Sequence, residues 1–194
     1  MVLIYHNKGK KLHLQLMAIV SLSVTNEVIS FILKQYSYPI SINTTIYVVM
    51  NCLLWMLILK RISTHKVLIK RIMLLFVLFA IVNFFFFDGV HKFNSYSFVT
   101  GALLYVLLFL YDSFGELKKE NFNYFTSNNY LLIATPVLFF IGFSFIFGFK
   151  NKDIDKIEIL GLFTIYNFIS YFANITYYTL INIYIYREKK LSNA

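Results

Sequence analysis

The chain has 194 residues, of which 59% are hydrophobic and 14% are charged, and its formal net charge is +9. Soluble domains carry roughly 25% charged residues, so this composition excludes an ordinary soluble enzyme or binding domain. The single cysteine, Cys52, excludes a disulfide framework. The composition therefore predicts one integral membrane domain that takes up residues 1–194.

Six stretches are apolar and long enough to be drawn as helices that cross a bilayer, which needs roughly 20 residues. They cover about residues 12–33, 40–59, 67–87, 96–111, 130–149 and 159–186. The stretches between them are too short to fold as a soluble domain. The predicted fold is therefore an all-α, polytopic bundle of six transmembrane helices.

The first predicted span follows Lys8, Lys10 and Lys11, and no cleavage site of small residues comes after it, so we expect it to be retained. Within it, Glu27 is the only acidic residue that lies well inside any predicted span. A charge there is costly unless it is protonated, paired or hydrated, which makes Glu27 a functional candidate. Two interpretations stay open: Glu27 is hydrated or paired with Lys34 near the outer boundary, or it lines a polar cavity.

The connection between the second and third predicted spans is strongly basic. Its Lys and Arg residues, which we predict to form a cytoplasmic basic surface, are Lys60, Arg61, Lys66, Lys70 and Arg71. The side of the membrane that holds the N-terminus receives 13 of the 18 basic residues in this topology. The positive-inside rule makes that side cytoplasmic, and six spans place both termini there. Membrane topology thus explains the net charge without a nucleic-acid partner.

Polar residues within the other predicted spans are the second group of candidates. With Glu27, the polar intramembrane candidates are Asn51, Asn83, Asn167 and Asn174. They either line a polar path or join helices by hydrogen bonds of about 0.6–2 kcal/mol each.

Two further patterns concern local structure. The stretch 112–129 alternates charged and apolar residues, which predicts a short helix at the membrane interface. Small residues four apart, Ser97 with Gly101 and Ser144 with Gly148, predict close approach of neighbouring helices.

The residues that membrane enzymes require do not converge by spacing. The histidines His6, His13, His65 and His91 fall in loops or at span ends, which disfavours haem ligation, and Asp88 with His91 is better explained as a solvated turn than as a metal or pH-sensing site. Cys52 lies in mid-span, away from any histidine, so a cysteine peptidase is disfavoured. We therefore expect no catalytic residues, no cofactor and no metal.

A resemblance adds to this interpretation. The segment Phe93-Asn94-Ser95-Tyr96-Ser97-Phe98, with Gly101 and Tyr111 behind it, and the later Asn174-Ile175-Thr176-Tyr177-Tyr178 resemble motifs of small polytopic membrane proteins common in flavobacterial genomes. The resemblance covers roughly residues 65–186, and Asp112 stands where those proteins have a plain polar residue. Because some of them are encoded near histidine kinases without membrane spans, the resemblance implies a sensing or anchoring role.

Three classes of function remain open at the level of sequence, of which one, an intramembrane enzyme, has no supporting set of residues. The first is a non-catalytic module of the bacterial inner membrane that senses or anchors for a cytoplasmic partner such as a histidine kinase. The alternative is a small oligomeric channel or transporter, including a membrane effector of a defence system, with a polar path that includes Glu27. The expected partners are the lipid bilayer, a cytoplasmic protein and, in the alternative, further copies of the chain.

Overall fold

The computed structural model describes residues 11–89, 92–148, 157–159, 161 and 163–192. Over these residues the chain is all-helical, with seven helices and one pair of two-residue strands. The helices are α1 (Lys11–Gln35), α2 (Ser41–Ile62), α3 (Lys66–Phe86), α4 (Ser95–Lys118), α5 (Phe122–Thr126), α6 (Asn128–Gly148) and α7 (Ile165–Ser192). Strands β1 (Glu158–Ile159) and β2 (Phe163–Thr164) pair antiparallel just before α7.

Five of the described helices, α1, α2, α3, α4 and α6, are long and apolar enough to cross a membrane. This pattern is compatible with a multi-pass membrane protein. The sixth predicted span forms α7, which has 28 residues and so is about 42 Å long. Helix α7 is not among the five, because its asparagines and tyrosines make it more polar than the other long helices.

Two boundaries differ from the prediction. Helix α4 does not end at Tyr111 but continues to Lys118, because Asp112 and Glu116 lie on its buried face and find partners there. The predicted interfacial helix is consequently reduced to α5, which has five residues. Helix α7 begins at Ile165, since the residues just before it form β2.

The chain divides into two compact units, and the boundary between them falls inside α4, at Leu104 and Tyr105. In the N-terminal unit, α1 packs against α2 through polar side chains. The Asn43 Nδ2 atom donates to Asn26 Oδ1 at 2.9 Å and to Ser30 Oγ at 3.0 Å. One turn further along, Ser23 Oγ and Tyr47 Oη lie 3.2 Å apart. Helices α1 and α2 are thus joined by hydrogen bonds along one seam.

The start of α4 packs tightly on α3 and α2 at Gly101. A Cβ atom at Gly101 would lie 2.6 Å from Phe76 Cζ and 3.1 Å from Cys52 Sγ. Gly101 is therefore the close-approach position that the Ser97 and Gly101 pair predicted. At Gly148 no atom of the described residues lies within 4 Å of an added Cβ, so the second predicted pair makes no close approach there with the described part of the chain.

In the C-terminal unit, α6 and α7 pack side by side. A Cβ atom at Gly142 of α6 would lie 2.9 Å from Ile169 Cγ2 and 3.7 Å from Ala173 Cβ of α7. The rings of Phe139 and Tyr177 lie 5.2 Å apart across the same contact. Aromatic and small residues therefore interlock along these two helices, as in helix pairs that approach closely.

Candidate functional site

The densest polar cluster in the N-terminal unit surrounds Asn83, in the last turn of α3. Its Nδ2 atom donates to Ser97 Oγ at 3.0 Å, to Asp88 Oδ2 at 3.1 Å and to Asn94 Oδ1. The backbone N–H of Asn94 in turn donates to Thr45 Oγ1 of α2 at 3.2 Å. One asparagine therefore connects the end of α3, the connection that follows it and the start of α4.

The same cluster caps the N-terminus of α4. Asn94 precedes the helix, and its Oδ1 accepts the N–H of Ser97 at 3.3 Å, which is the hydrogen bond of an N-cap residue. The Asp88 carboxylate accepts the N–H of Tyr96 at 3.3 Å, and a negative charge is favourable at this end of a helix. Gly89 supports the turn with a φ of 74°, which glycine adopts without strain.

Burial shows what this cluster does. Asn83 and Asn94 are each 1% exposed and Ser97 is fully buried, so their polar atoms lie out of contact with solvent. A buried polar atom that lacks a hydrogen bond is costly, and most atoms of the cluster have one, although Asn94 Nδ2 has no partner among the described residues. The arrangement fixes the positions of three helices relative to the turn, which is the geometry of helix-joining residues.

The other predicted asparagines do not join this cluster. Asn51 is buried in α2 at 4% exposure, and its Oδ1 atom has no hydrogen-bond partner among the described residues. The Asn174 amide donates to the Ser170 carbonyl at 2.8 Å, within its own helix. Asn167 is half-buried in the first turn of α7, where its backbone N–H donates to Thr164 Oγ1 at 3.2 Å. Within the described residues these side chains do not converge on one site.

Glu27 lies on the exposed surface of α1. Its neighbours on that surface are apolar, with Val24, Val28 and Phe31 exposed at 55%, 53% and 70%. In the part of the chain that the structure describes, no ion pair joins the carboxylate to Lys34, which is also exposed. Glu27 thus lies on a lateral surface of the N-terminal unit. A functional role for its carboxylate stays a prediction.

Among the described residues of the C-terminal unit, three buried carboxylates were not among the predicted site residues. Asp112, Glu116 and Glu188 are exposed at 2%, 7% and 8%. The Tyr124 hydroxyl donates to Asp112 Oδ2 at 2.7 Å, and Asn128 Nδ2 donates to Glu188 Oε1 at 2.9 Å. Burial, and then the hydrogen bond to Asp112, raise the pKa of the Tyr124 phenol well above its usual value.

Glu116 is held from two sides. Lys119 Nζ lies 2.6 Å from its Oε1 and Asn121 Nδ2 donates to its Oε2 at 2.7 Å. Asp112 and Glu116 are four residues apart, so a helix that continued past Tyr111 would place them on one face. That spacing is the signal from which the sequence could have indicated their shared burial.

The arrangement offers no metal centre in the described part of the chain. No three His, Cys, Asp or Glu side chains there lie close enough together to hold a metal ion. His13 is buried in the first turn of α1 and His65 precedes α3, whereas His6 and His91 lie outside the described residues. The carboxylates noted above hydrogen-bond to tyrosine, lysine and asparagine side chains, which indicates a structural use.

The predicted basic surface forms at the tight turn between α2 and α3. Ser63 stabilises this turn: its N–H donates to the Leu59 carbonyl at 2.8 Å, and its Oγ accepts the N–H of His65 at 2.9 Å. All five basic side chains lie in the last turn of α2 or the first two turns of α3, and four of them, all but the half-buried Lys60, are exposed. The exposed side chains are Arg61, Lys66, Lys70 and Arg71.

Compared with models of protein families, with curated proteins and with solved structures, the chain matches none of them. The resemblance to flavobacterial membrane proteins therefore stays a prediction from sequence motifs.

Proposed function

We propose that this protein is a non-catalytic, multi-pass module of a bacterial inner membrane that senses or anchors for a cytoplasmic protein such as a histidine kinase. In this proposal α7 is the sixth span, and both termini lie in the cytoplasm. The five apolar helices support the membrane assignment. The flavobacterial resemblance, as a sequence argument, supports the sensing or anchoring role.

The observation that carries the proposal is the basic surface of the α2–α3 turn. Arg61, Lys66, Lys70 and Arg71 are exposed there. The sequence contains no acidic residue between Glu27 and Asp88, so no nearby carboxylate in that segment neutralises them. Such a surface attracts the anionic inner leaflet by about 1 kcal/mol per basic residue and complements an acidic protein surface.

The topology is tested by fusing a reporter that is active only outside the cytoplasm. Fusions after Pro39, Ser95 and Asp153 are expected to give signal, and fusions after Ser63 and Lys119 are not. A C-terminal fusion decides whether α7 crosses: it is expected to be silent. Signal from both Asp153 and the C-terminus would show that α7 does not cross, and signal after Ser63 would reverse the orientation.

The partner role is tested by replacing Lys60, Arg61 and Lys66 with Gln. The matched control replaces Lys34, Lys92 and Lys150 with Gln, three basic residues that the proposal puts on the opposite side. Proteins that co-purify reproducibly with the wild type are expected to be lost from the triple variant and kept by the control. If both variants keep their topology and their partners, the basic surface has no such role.

A channel or transporter would behave differently in vesicles. The non-catalytic module is expected to show no ion or proton flux above that of protein-free proteoliposomes, and Glu27→Gln is expected to leave this result unchanged. Flux that depends on the Glu27 carboxyl would favour the channel function instead.

A further inference from the structure

Helix α1 carries an exposed face whose residues have the spacing of a helix-packing surface. Its polar seam toward α2 uses Ser23, Asn26 and Ser30. Beside that seam, Val20, Val24, Glu27, Phe31 and Lys34 follow one another at spacings of four, three, four and three residues. This alternation is the repeat of a helix that packs against a second helix at a crossing angle of about 20°. We call these five residues the Glu27 seam.

The Glu27 seam is open to the surroundings. Val24 is 55% exposed, Phe31 is 70% exposed, and Glu27 and Lys34 are exposed, whereas Val20 is half-buried. In the apolar 18-residue stretch of α1 only 11% of the residues are buried, compared with 44% in the corresponding stretch of α2. Within the described residues of the N-terminal unit, α1 packs mainly against α2. The seam therefore has a helix-packing pattern with no described helix on it.

The depth of Glu27 makes contact with lipid unfavourable. If α1 crosses the bilayer, as the proposed function requires, Glu27 lies about 6 Å from the middle of the helix and roughly 9 Å inside the hydrocarbon edge. Carboxylates at such depths pair with another polar group or face a protein interior. Lys34 is about 10 Å further along the helix axis, and no ion pair joins it to Glu27 in the described structure.

We propose that the Glu27 seam docks a transmembrane helix of a different protein, and that this helix places a Lys or Arg side chain against Glu27. Charge complementarity favours a helix of a different protein over a second copy of this chain. A second copy that packed in parallel on the same seam would put Glu27 against Glu27 and Lys34 against Lys34, and like charges in contact disfavour that pairing. A cationic side chain at the matching depth satisfies the carboxylate and completes the seam.

The test uses the full chain in lipid vesicles and synthetic transmembrane peptides as probes. A Leu-rich peptide with one Arg four residues, or about 6 Å, from its centre presents the cation at the depth of Glu27 in one of its two orientations. Peptides with Leu or Glu at the same position are the controls. Energy transfer between a dye on the protein and a dye on the peptide measures association. The Arg peptide is expected to bind about tenfold more tightly than the Leu peptide.

Two variants test whether binding needs only a carboxylate at this depth or a carboxylate at its position in the Glu27 seam. Glu27→Gln is expected to reduce binding of the Arg peptide to that of the Leu peptide. The variant Glu27→Gln with Thr25→Glu keeps a carboxylate within about 3 Å along the axis but moves it by about 160° around the helix. Thr25 is exposed, so the variant is expected to fold, and it should not restore binding.

The proposal is overturned by equal binding of the Arg and Leu peptides, by recovery in the double variant, or by self-association of the wild type that outcompetes the Arg peptide. The last result would assign the seam to a second copy. If the reporter after Pro39 shows that α1 crosses while the peptides fail to discriminate, the docking face fails and the membrane topology stands. Helical content by circular dichroism confirms that each variant inserts and folds.

Discussion

Gly101 is the position where a single methyl group should most clearly disturb the helix packing. In Gly101→Ala the new Cβ would lie 2.6 Å and 2.8 Å from two atoms of the Phe76 ring and 3.1 Å from Cys52 Sγ. All three distances are shorter than an ordinary carbon contact of about 3.5–4 Å. Phe76 is 1% exposed and Cys52 is fully buried, so neither side chain can relieve the contact by moving out to the surface.

The magnitude follows from two opposing effects. Forcing an extra methyl group into a packed core costs about 1–3 kcal/mol. Replacing glycine by alanine within a helix returns up to about 1 kcal/mol. The net expectation for Gly101→Ala is a loss of roughly 1–2 kcal/mol. By the scaling of soluble domains of this length, each kcal/mol lowers the midpoint of thermal unfolding by about 2–4 °C.

The assay is thermal unfolding of the full chain in detergent, followed by circular dichroism. Gly148→Ala is the control, because the residue is exposed and no described atom lies within 4 Å of its added Cβ. The double variant Gly101→Ala with Phe76→Leu is expected to unfold at a higher temperature than the sum of the single changes predicts, since the smaller side chain relieves the clash. If Gly101→Ala unfolds at the wild-type temperature or above it, the close packing at this position is wrong.

Three further predictions concern polar contacts. Asn83→Leu is expected to cost about 1–3 kcal/mol in thermal unfolding, because it strands the buried acceptors of its cluster, whereas Leu at the exposed Asn123 should cost far less. Asn174→Leu is expected to cost less than about 1 kcal/mol, since its amide bonds to a carbonyl of its own helix; a larger loss would contradict that contact. For Tyr124→Phe, the stability deficit relative to wild type should be constant below pH 10, the usual tyrosine pKa, and should shrink above it. Above pH 10 the phenol keeps its proton in the folded state and loses it in the unfolded state, so the stability that the Tyr124 hydroxyl provides falls as pH rises. A stability deficit that grows with pH would refute the raised pKa.

Composition and local pattern determined the class of this protein. The free energy of transferring side chains from water to an apolar environment is close to a sum over residues. Hydropathy therefore located each of the five apolar helices to within a few residues, except at the end of α4. The spacing of Ser97 and Gly101 indicated a close helix contact, and the structure has one at Gly101. These are local properties, and a single sequence contains them.

The neighbours of each polar side chain were decided by the tertiary structure. Glu27 and Asp112 are both acidic residues in apolar helices, yet one is exposed and the other is 2% exposed beside the Tyr124 hydroxyl. Similarly, Asn83 joins helices whereas Asn174 bonds within its own. A helical periodicity says which residues share a face, but the helix that covers the face comes from distant parts of the chain. For that reason the sequence determined which residues are polar and apolar, and packing alone decided which polar residues are buried and which stay exposed.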